Sequence, residues 1–204
     1  MERIDTDIVL YLQEDYFFKS SVDNAIVEDY VRLMIDNPEI KCIHLTDQAC
    51  IADKDSSFAG LKVVNRKQRY RVSCQAAIWR KEELYSLIRD YESAWEFEEF
   101  GSKRSYVMNH LYLCVDPQVV RLDINEIIPY VFTGVIQGCW YDPVVDLFRE
   151  NDIVVDFSKR GMLSQKKKKP FSSRVKYRVE RMVYSVYSFF SCLSLKYSSR
   201  EKDS

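Results

Sequence analysis

Short apolar runs alternate with segments of helical periodicity between residues 8 and 150, and this alternation predicts an α/β fold. Residues 8–12, Ile-Val-Leu-Tyr-Leu, form an apolar run between acidic residues, which is typical of a buried strand. Residues 41–45 have the same character. Further strands are predicted at 70–79, 111–115 and 127–140, where Gly134 and Gly138 indicate a bulge or a close backbone approach.

The helices are predicted from apolar residues that recur every three or four positions. Such residues run from Ile26 to Ile35, with Ser21 or Asp23 as the N-cap and Asn37-Pro38 as the stop. Shorter helices are predicted at 80–89 and 142–150, and the polar segment 46–62 is predicted to be a loop.

Charge divides the chain into two parts. Residues 1–158 hold 17 Lys or Arg against 28 Asp or Glu, whereas residues 159–204 hold 13 against 3. Such an asymmetry predicts that the basic part meets a polyanion or an anionic membrane surface. We therefore predict a body at 1–163 and a basic tail at 164–204.

The tail combines a basic run, Lys166 to Lys169, with an apolar stripe at helical spacing and three arginines on one flank. One interpretation is a C-terminal helix packed on the body. The other is an amphipathic helix lying on an anionic leaflet, which the basic residues and aromatics favour. No recognition motif accompanies the charge, so nucleic acid is not an expected partner. The stripe comprises Val175, Val179, Met182, Val183, Val186, Phe189, Phe190 and Leu193, and the flanking residues are Arg174, Arg178 and Arg181.

Several classes of protein are excluded by what the chain lacks. Its six cysteines form no CxxC pair and it has two histidines, so a zinc finger or ribbon is not expected. Cys42 and Cys114 lie in apolar runs, which indicates reduced core residues. The first residues are acidic where a signal peptide is basic, and no run of about 18 apolar residues exists. We expect an intracellular protein without a transmembrane helix.

Three groups of residues are candidates for chemistry. Glu14 and Asp15 follow the first strand, where two carboxylates would bind a hard divalent cation or lie as solvated turn residues. Gln75 and Trp79 share one face of a predicted strand, which suits sugar binding as well as core packing.

The third group lies between residues 92 and 105. Glu96 and Glu98 alternate with Trp95 and Phe97, and a carboxylate beside an aromatic wall has the raised proton affinity of a general base. Arg104 would hold a phosphate or orient a carboxylate. An acidic helix start explains the same residues. No phosphate-binding glycine loop, nucleophile triad or HExxH motif is present.

Four stretches in this order resemble a group of bacterial glycosyltransferase-like proteins from gene clusters for capsule and other surface polysaccharides. They cover roughly residues 7–163 and are LYLQEDYFF, SCQAAIWRKEELYSLIRDYESAWEFEEFGSKRS, GVIQGCW and DFSKRG, of which QAAIW and ESAWEFE are the most specific. The resemblance implies a GT-A-type nucleotide-diphospho-sugar transferase fold, with a mixed sheet and flanking helices. It leaves the tail unassigned.

The resemblance also implies roles for the candidate residues. Glu14 and Asp15 would bind Mg²⁺ or Mn²⁺ beside the donor diphosphate. Gln75 and Trp79 would line the sugar or acceptor pocket, and Trp95 is a further predicted substrate-binding side chain.

By the same resemblance, either Glu98 or Glu96 would take the proton of an acceptor hydroxyl, and we favour Glu98. Arg104 would assist at a phosphate.

Proteins of this group carry a further segment of roughly a hundred residues before the first strand, holding part of the nucleotide-binding half. We therefore expect an N-terminally truncated transferase domain, with a protein partner as one source of the missing half. The leading hypothesis is metal-dependent transfer from a nucleotide-sugar to a saccharide or lipid-linked acceptor at the cytoplasmic face of the membrane. The alternative is a non-catalytic remnant or accessory subunit that binds a partner enzyme or the membrane.

Overall fold

A six-stranded mixed sheet lies at the centre of the computed structural model, which describes residues 3–131, 133–166 and 171–202, with side chains of residues 177–197 in the last range. In chain order the strands are β1 (Ile8–Tyr11), β2 (Phe17–Phe18), β3 (Ile40–His44), β4 (Lys54–Asp55), β5 (Leu61–Val63), β6 (Ala77–Arg80), β7 (Leu111–Val115), β8 (Tyr130–Val131), β9 (Val135–Ile136) and β10 (Cys139–Trp140). The large sheet has the order β1-β6-β3-β7-β5-β4. Its neighbours are antiparallel except for the parallel pair β3 and β7.

Helices flank this sheet. They are α1 (Asn24–Asp36), α2 (Lys81–Leu87), α3 (Ala94–Glu96), α4 (Ser102–Ser105), α5 (Pro143–Glu150) and α6 (Phe171–Lys202), and a π-helical turn (Phe97–Gly101) joins α3 to α4. The α/β prediction is thereby confirmed, as is the mixed sheet with flanking helices. The start of α1 follows its predicted cap, because the Asp23 carboxylate accepts the Ile26 N–H at 3.2 Å.

Two predicted segments differ from the structure. The predicted loop 46–62 contains the short strand β4 and the start of β5. The strand predicted at 70–79 begins at Ala77, because the preceding backbone is bound by side chains from other elements. Ser102, Glu98 and Tyr130 accept the N–H groups of Val72, Cys74 and Ala76, respectively.

The predicted strand 127–140 is interrupted twice, as its glycines indicated. Gln137 and Gly138 both have positive φ and form the two-residue turn between β9 and β10. Gly134 lies where the backbone passes close to Asp15, so that a Cβ there would be 2.6 Å from the Asp15 carbonyl oxygen. The result is three short strands in two small sheets.

The helix α6 contacts the rest of the molecule through a face of small and aromatic polar residues. Ser188 is 2% exposed and its hydroxyl accepts from Arg104 at 3.4 Å, while Tyr184 packs on Tyr91 with ring centroids 5.6 Å apart. At about 100° per residue, the described part of the apolar stripe, from Val179 to Leu193, lies on the opposite side of this helix. Met182, for example, is 70% exposed.

Other predictions for the tail fall partly outside the described residues. Lys167 to Lys169 are not described, and neither are the side chains of Arg174 and Val175. Within the described helices, none is both long enough and apolar enough to cross a bilayer. The six cysteines are all free thiols, and four of them are buried.

Candidate functional site

The turn after β1 places Asp15 against the β8–β9 region. One carboxylate oxygen, Oδ2, accepts the Val135 N–H at 3.0 Å and the Thr133 hydroxyl at 3.2 Å. The other oxygen, Oδ1, has no hydrogen-bond partner in the described part of the chain. The neighbouring Glu14 is exposed. This turn therefore presents one fixed carboxylate and one exposed carboxylate.

Glu98 lies in the π-helical turn and reaches the irregular segment before β6. Its Oε1 atom accepts the Cys74 N–H at 2.9 Å and the Ser73 hydroxyl at 3.4 Å. Burial raises the pKa of Glu98 above its ordinary value, and these two hydrogen bonds oppose the shift. A half-buried carboxylate with a raised pKa has the proton affinity that a general base requires.

Gln75 is positioned by an aromatic pair. Its Oε1 atom accepts the Tyr130 hydroxyl at 2.8 Å, and that hydroxyl accepts the Ala76 N–H at 3.1 Å. Tyr16 stacks on Tyr130 with ring centroids 4.7 Å apart and an interplanar angle of 9°. These contacts fix the amide, so Gln75 contributes an oriented polar group to its surroundings.

These residues meet around one cavity of about 540 Å³, which we call the first cavity. It lies beyond the carboxyl ends of β1 and β3, which run parallel because both pair antiparallel with β6. Five of the predicted site residues line it: Glu14, Asp15, Gln75, Trp95 and Glu98. The indole of Trp95 is 64% exposed, so it offers a free aromatic face.

The other three predicted site residues, Trp79, Arg104 and Glu96, do not line the first cavity. Trp79 is 0% exposed in the middle of the large sheet, with its ring edge-on to Tyr112 at 5.4 Å. It lies in the core rather than beside Gln75 in the first cavity. Its strand, β6, lies inside the sheet with β1 on one side and β3 on the other, so the indole is covered by neighbouring strands instead of lying at a sheet edge.

Arg104 and Glu96 are held by internal partners. Arg104 is fully buried and forms a bidentate pair with Glu92, with distances of 2.6 and 2.5 Å, and also donates to the Leu87 carbonyl. Glu96 is 5% exposed and closes a capping box with Ser93. Of these two carboxylates only Glu98 lines the first cavity, because residues two apart in a helical segment point to opposite sides of it.

Among the residues of the first cavity that sequence reasoning missed are Trp140 and Arg160. The Arg160 guanidinium lies 5.8 Å from the centroid of the Trp140 ring. Both belong to stretches that carry the resemblance, GVIQGCW and DFSKRG, but neither stretch has a signal of its own for a site. The cavity therefore contains a cation beside its carboxylates.

Thiol and imidazole chemistry are disfavoured at this site. Burial, reinforced by the charge of Glu98, raises the pKa of the Cys74 thiol to about 12, so the thiol lining the cavity stays protonated near neutral pH. Burial lowers the pKa of His44 to about 4, and its Nε2 lies 3.0 Å from the Arg71 carbonyl oxygen inside the core. Carboxylates are left as the groups suited to proton transfer.

The carboxylates fit a divalent cation that is shared with a ligand. Mg²⁺ is commonly held by one or two carboxylates and completes its shell with water and substrate phosphates. Asp15 has one oxygen held by hydrogen bonds and Glu14 lies beside it at the rim. No group of three or more metal-ligating side chains occurs among the residues that the structure describes.

No family model, curated protein or solved structure matches this chain.

Proposed function

We propose that the protein is a glycosyltransferase-like enzyme that uses a nucleotide-sugar donor in the synthesis of a surface polysaccharide. The observation that supports this most is the first cavity, where Asp15 and Glu14 face Glu98, Gln75 and Trp95. Carboxylates for a cation, a carboxylate base and an aromatic face are the groups that sugar transfer from a diphosphate requires.

In this proposal Glu98 takes the proton of an acceptor hydroxyl. The hydroxyl oxygen bonds to the anomeric carbon of the donor as the bond from that carbon to the diphosphate oxygen breaks. The hydrogen bonds from Cys74 and Ser73 fix Glu98 Oε1, so its other oxygen serves the acceptor.

The Gln75 amide and the Trp95 indole would orient the sugar. Arg160 would pair with the departing diphosphate. Magnesium or manganese, when bound by Glu14 and Asp15, would supply further positive charge for the leaving group.

The direct test is turnover of nucleotide-sugars by the purified chain, read as release of nucleoside diphosphate. We expect Glu98→Gln to lower kcat about 10²-fold or more, because a positioned base contributes about that much. Asp15→Asn and removal of divalent cations with a chelator should lower turnover as well. Glu150→Gln, an exposed change on α5, is the matched control. Full turnover in both site variants would overturn the site assignment.

A second candidate function, an accessory protein that binds a membrane, is favoured by the exposed stripe of α6. Phe189 and Phe190 are 60% and 62% exposed on the face that points away from the body. Such a helix would lie on an anionic leaflet and hold the protein at the cytoplasmic surface of the membrane. The two functions are compatible, since the stripe and the first cavity share no residue.

Vesicle sedimentation tests this second function. Binding to vesicles that contain anionic lipid should be lost in Phe189→Ser with Phe190→Ser, and should fall as salt is added. Membrane binding without any donor binding would favour the accessory protein over the transferase.

A further inference from the structure

A second cavity, of about 520 Å³, lies between the segment 95–106 and α6. From the helix it is lined by Tyr177 and Arg181, and from the segment by residues that include Glu99 and Lys103. We call this the second cavity. The tail therefore does more than attach to the body: its helix forms one wall of this open cavity.

The two cavities share a wall. Tyr70, Trp95 and Glu98 line both of them. The proposed base therefore lies at the boundary between the two cavities. A transfer reaction brings a donor and an acceptor together at one reacting centre, and this arrangement provides a space for each.

Among the described residues, three carboxylates, Glu96, Glu98 and Glu99, line the second cavity together with three cations, Arg69, Lys103 and Arg181. Glu99 is ion-paired with two of them, with Oε1 2.8 Å from Lys103 Nζ and Oε2 in contact with Arg181. The side chains of Lys103 and Arg181 are 49% and 47% exposed, so both remain accessible to a ligand. The third cation, Arg69, donates to the Tyr70 hydroxyl at 2.9 Å.

The Glu99 carboxylate pairs with the cations that a bound phosphate would contact. Burial alone would raise the pKa of Glu99, but Lys103 and Arg181 hold it below its ordinary value, so the carboxylate is ionised near neutral pH. A doubly charged phosphate carries more negative charge and more acceptor oxygens than one carboxylate, and would compete for the same donors.

The backbone at Tyr70 adds an independent sign of a built site. Tyr70 has φ of +59°, a conformation that a bulky side chain rarely adopts, and it lines both cavities. Such strain persists where the surrounding structure holds it, and it clusters at ligand sites.

We infer that the second cavity is the acceptor subsite and that it binds an acceptor carrying a phosphate ester through Arg69, Lys103 and Arg181. This inference rests on the proposed function, with the donor in the first cavity and Glu98 between the two. The phosphate belongs either to a soluble sugar phosphate or to a lipid, and these share the chemistry that the three cations recognise.

Titration calorimetry without nucleotide or metal tests the subsite. The probes are glucose 6-phosphate, as a soluble phosphate monoester, and phosphatidylcholine vesicles containing phosphatidic acid, as a lipid one; the vesicles are tested with the Phe189→Ser, Phe190→Ser variant, which removes binding through the stripe of α6 and leaves the second cavity intact. Binding of one probe and not the other identifies the source of the phosphate. Binding of a nucleotide-sugar with Mn²⁺ is measured in parallel as the readout of the first cavity.

Charge variants give effects of opposite sign. Lys103→Gln and Arg181→Gln should each weaken phosphate binding about 10-fold, the worth of one charge-assisted hydrogen bond. Glu99→Gln should tighten it several-fold, because it removes the competing carboxylate. Arg149→Gln, which removes one charge from an exposed position of α5 outside both cavities, is the control and should change affinity little.

The outcomes separate the two proposals. If the donor binds but the charge variants leave the affinity for phosphate unchanged, the acceptor subsite is overturned and the transferase proposal stands. Phosphate binding that follows the series, without donor binding or turnover, would support the anion site and overturn the proposed function. Circular dichroism and thermal unfolding of each variant exclude misfolding as the cause.

Discussion

Two neighbouring regions of the molecule hold their carboxylates differently. In one, Glu92 forms a buried ion pair with Arg104; in the other, Asp15 and Glu98 line the first cavity. Arg104 and Glu92 are both 0% exposed, and each carboxylate oxygen of Glu92 accepts from the guanidinium. Asp15 and Glu98 each have one carboxylate oxygen held by a backbone N–H, and within the described residues the other oxygen has no hydrogen-bond partner.

This difference distinguishes structural charges, which are fully paired inside the protein, from available charges, which can still bind a ligand. A carboxylate with both oxygens paired inside the protein contributes to the fold and has nothing left for a ligand. A carboxylate with only one oxygen hydrogen-bonded is held in one orientation, and its other oxygen can still bind a ligand. The sequence of this chain contains both kinds within a few residues, at Glu92 and Glu98. Three variants test the comparison, in order of their effect on the free energy of unfolding.

The largest effect is expected from Arg104→Met. This change leaves the Glu92 carboxylate buried without its partner, and we expect a loss of about 3–5 kcal/mol in unfolding free energy. Denaturant unfolding measures it. The double variant Arg104→Met with Glu92→Leu should recover much of the loss, because it removes the unpaired charge. A loss below about 1 kcal/mol in the single variant would show that the pair is not structural.

A smaller effect is expected from Gly134→Ala. The new Cβ would lie 2.6 Å from the Asp15 carbonyl oxygen and 2.2 Å from the Phe17 ring, and overpacking of this kind costs about 1–3 kcal/mol. Because it displaces Asp15, nucleotide-sugar binding should weaken too. Gly138→Ala is the control: it strains a φ of +80° but meets no atom within 4 Å, so stability should fall while donor binding is kept.

The smallest effect on stability, and of the opposite sign, is expected from Glu98→Gln. Because the pKa of Glu98 is raised in the folded protein, the folded chain binds more protons than the unfolded chain above the ordinary pKa of 4.5. Stability is therefore lost as pH rises through the interval between 4.5 and the raised pKa. The variant lacks this loss, and its amide oxygen still accepts the Cys74 N–H.

We expect Glu98→Gln to be more stable than the wild type near neutral pH by roughly 1 kcal/mol or less, and to lose this advantage in acid. Thermal unfolding across a pH series measures the difference. A variant that is destabilised at neutral pH would place Glu98 with the structural charges rather than the available ones.

Local patterns predicted the fold where a segment makes its own structure. The helix α1 follows from its apolar spacing and its Asp23 cap, and β1, β3 and β7 follow from short apolar runs. The segment before β6 was predicted to be part of a strand. It is irregular because Glu98, Ser102 and Tyr130 bind its backbone, and these partners are distant in sequence.

The candidate site was predictable only in part, for the same reason. Glu14 and Asp15 follow a strand, so their place at its carboxyl end is set locally. Arg160 reaches the first cavity through tertiary packing, and nothing in its neighbourhood along the chain marks it. Likewise, the stripe of α6 is evident in the sequence, whereas its position away from the body depends on the packing of Ser188 against Arg104.

The α/β class, the main helices, the reduced cysteines and the residue types available for chemistry all follow from local patterns along the chain. Those properties depend on spacing and composition, which neighbouring residues carry. The tertiary structure sets which charges are paired inside the protein, because a partner such as Glu92 for Arg104 is selected by three-dimensional distance. It also decided that Glu98 lies between two cavities, since one of them has a wall supplied by α6.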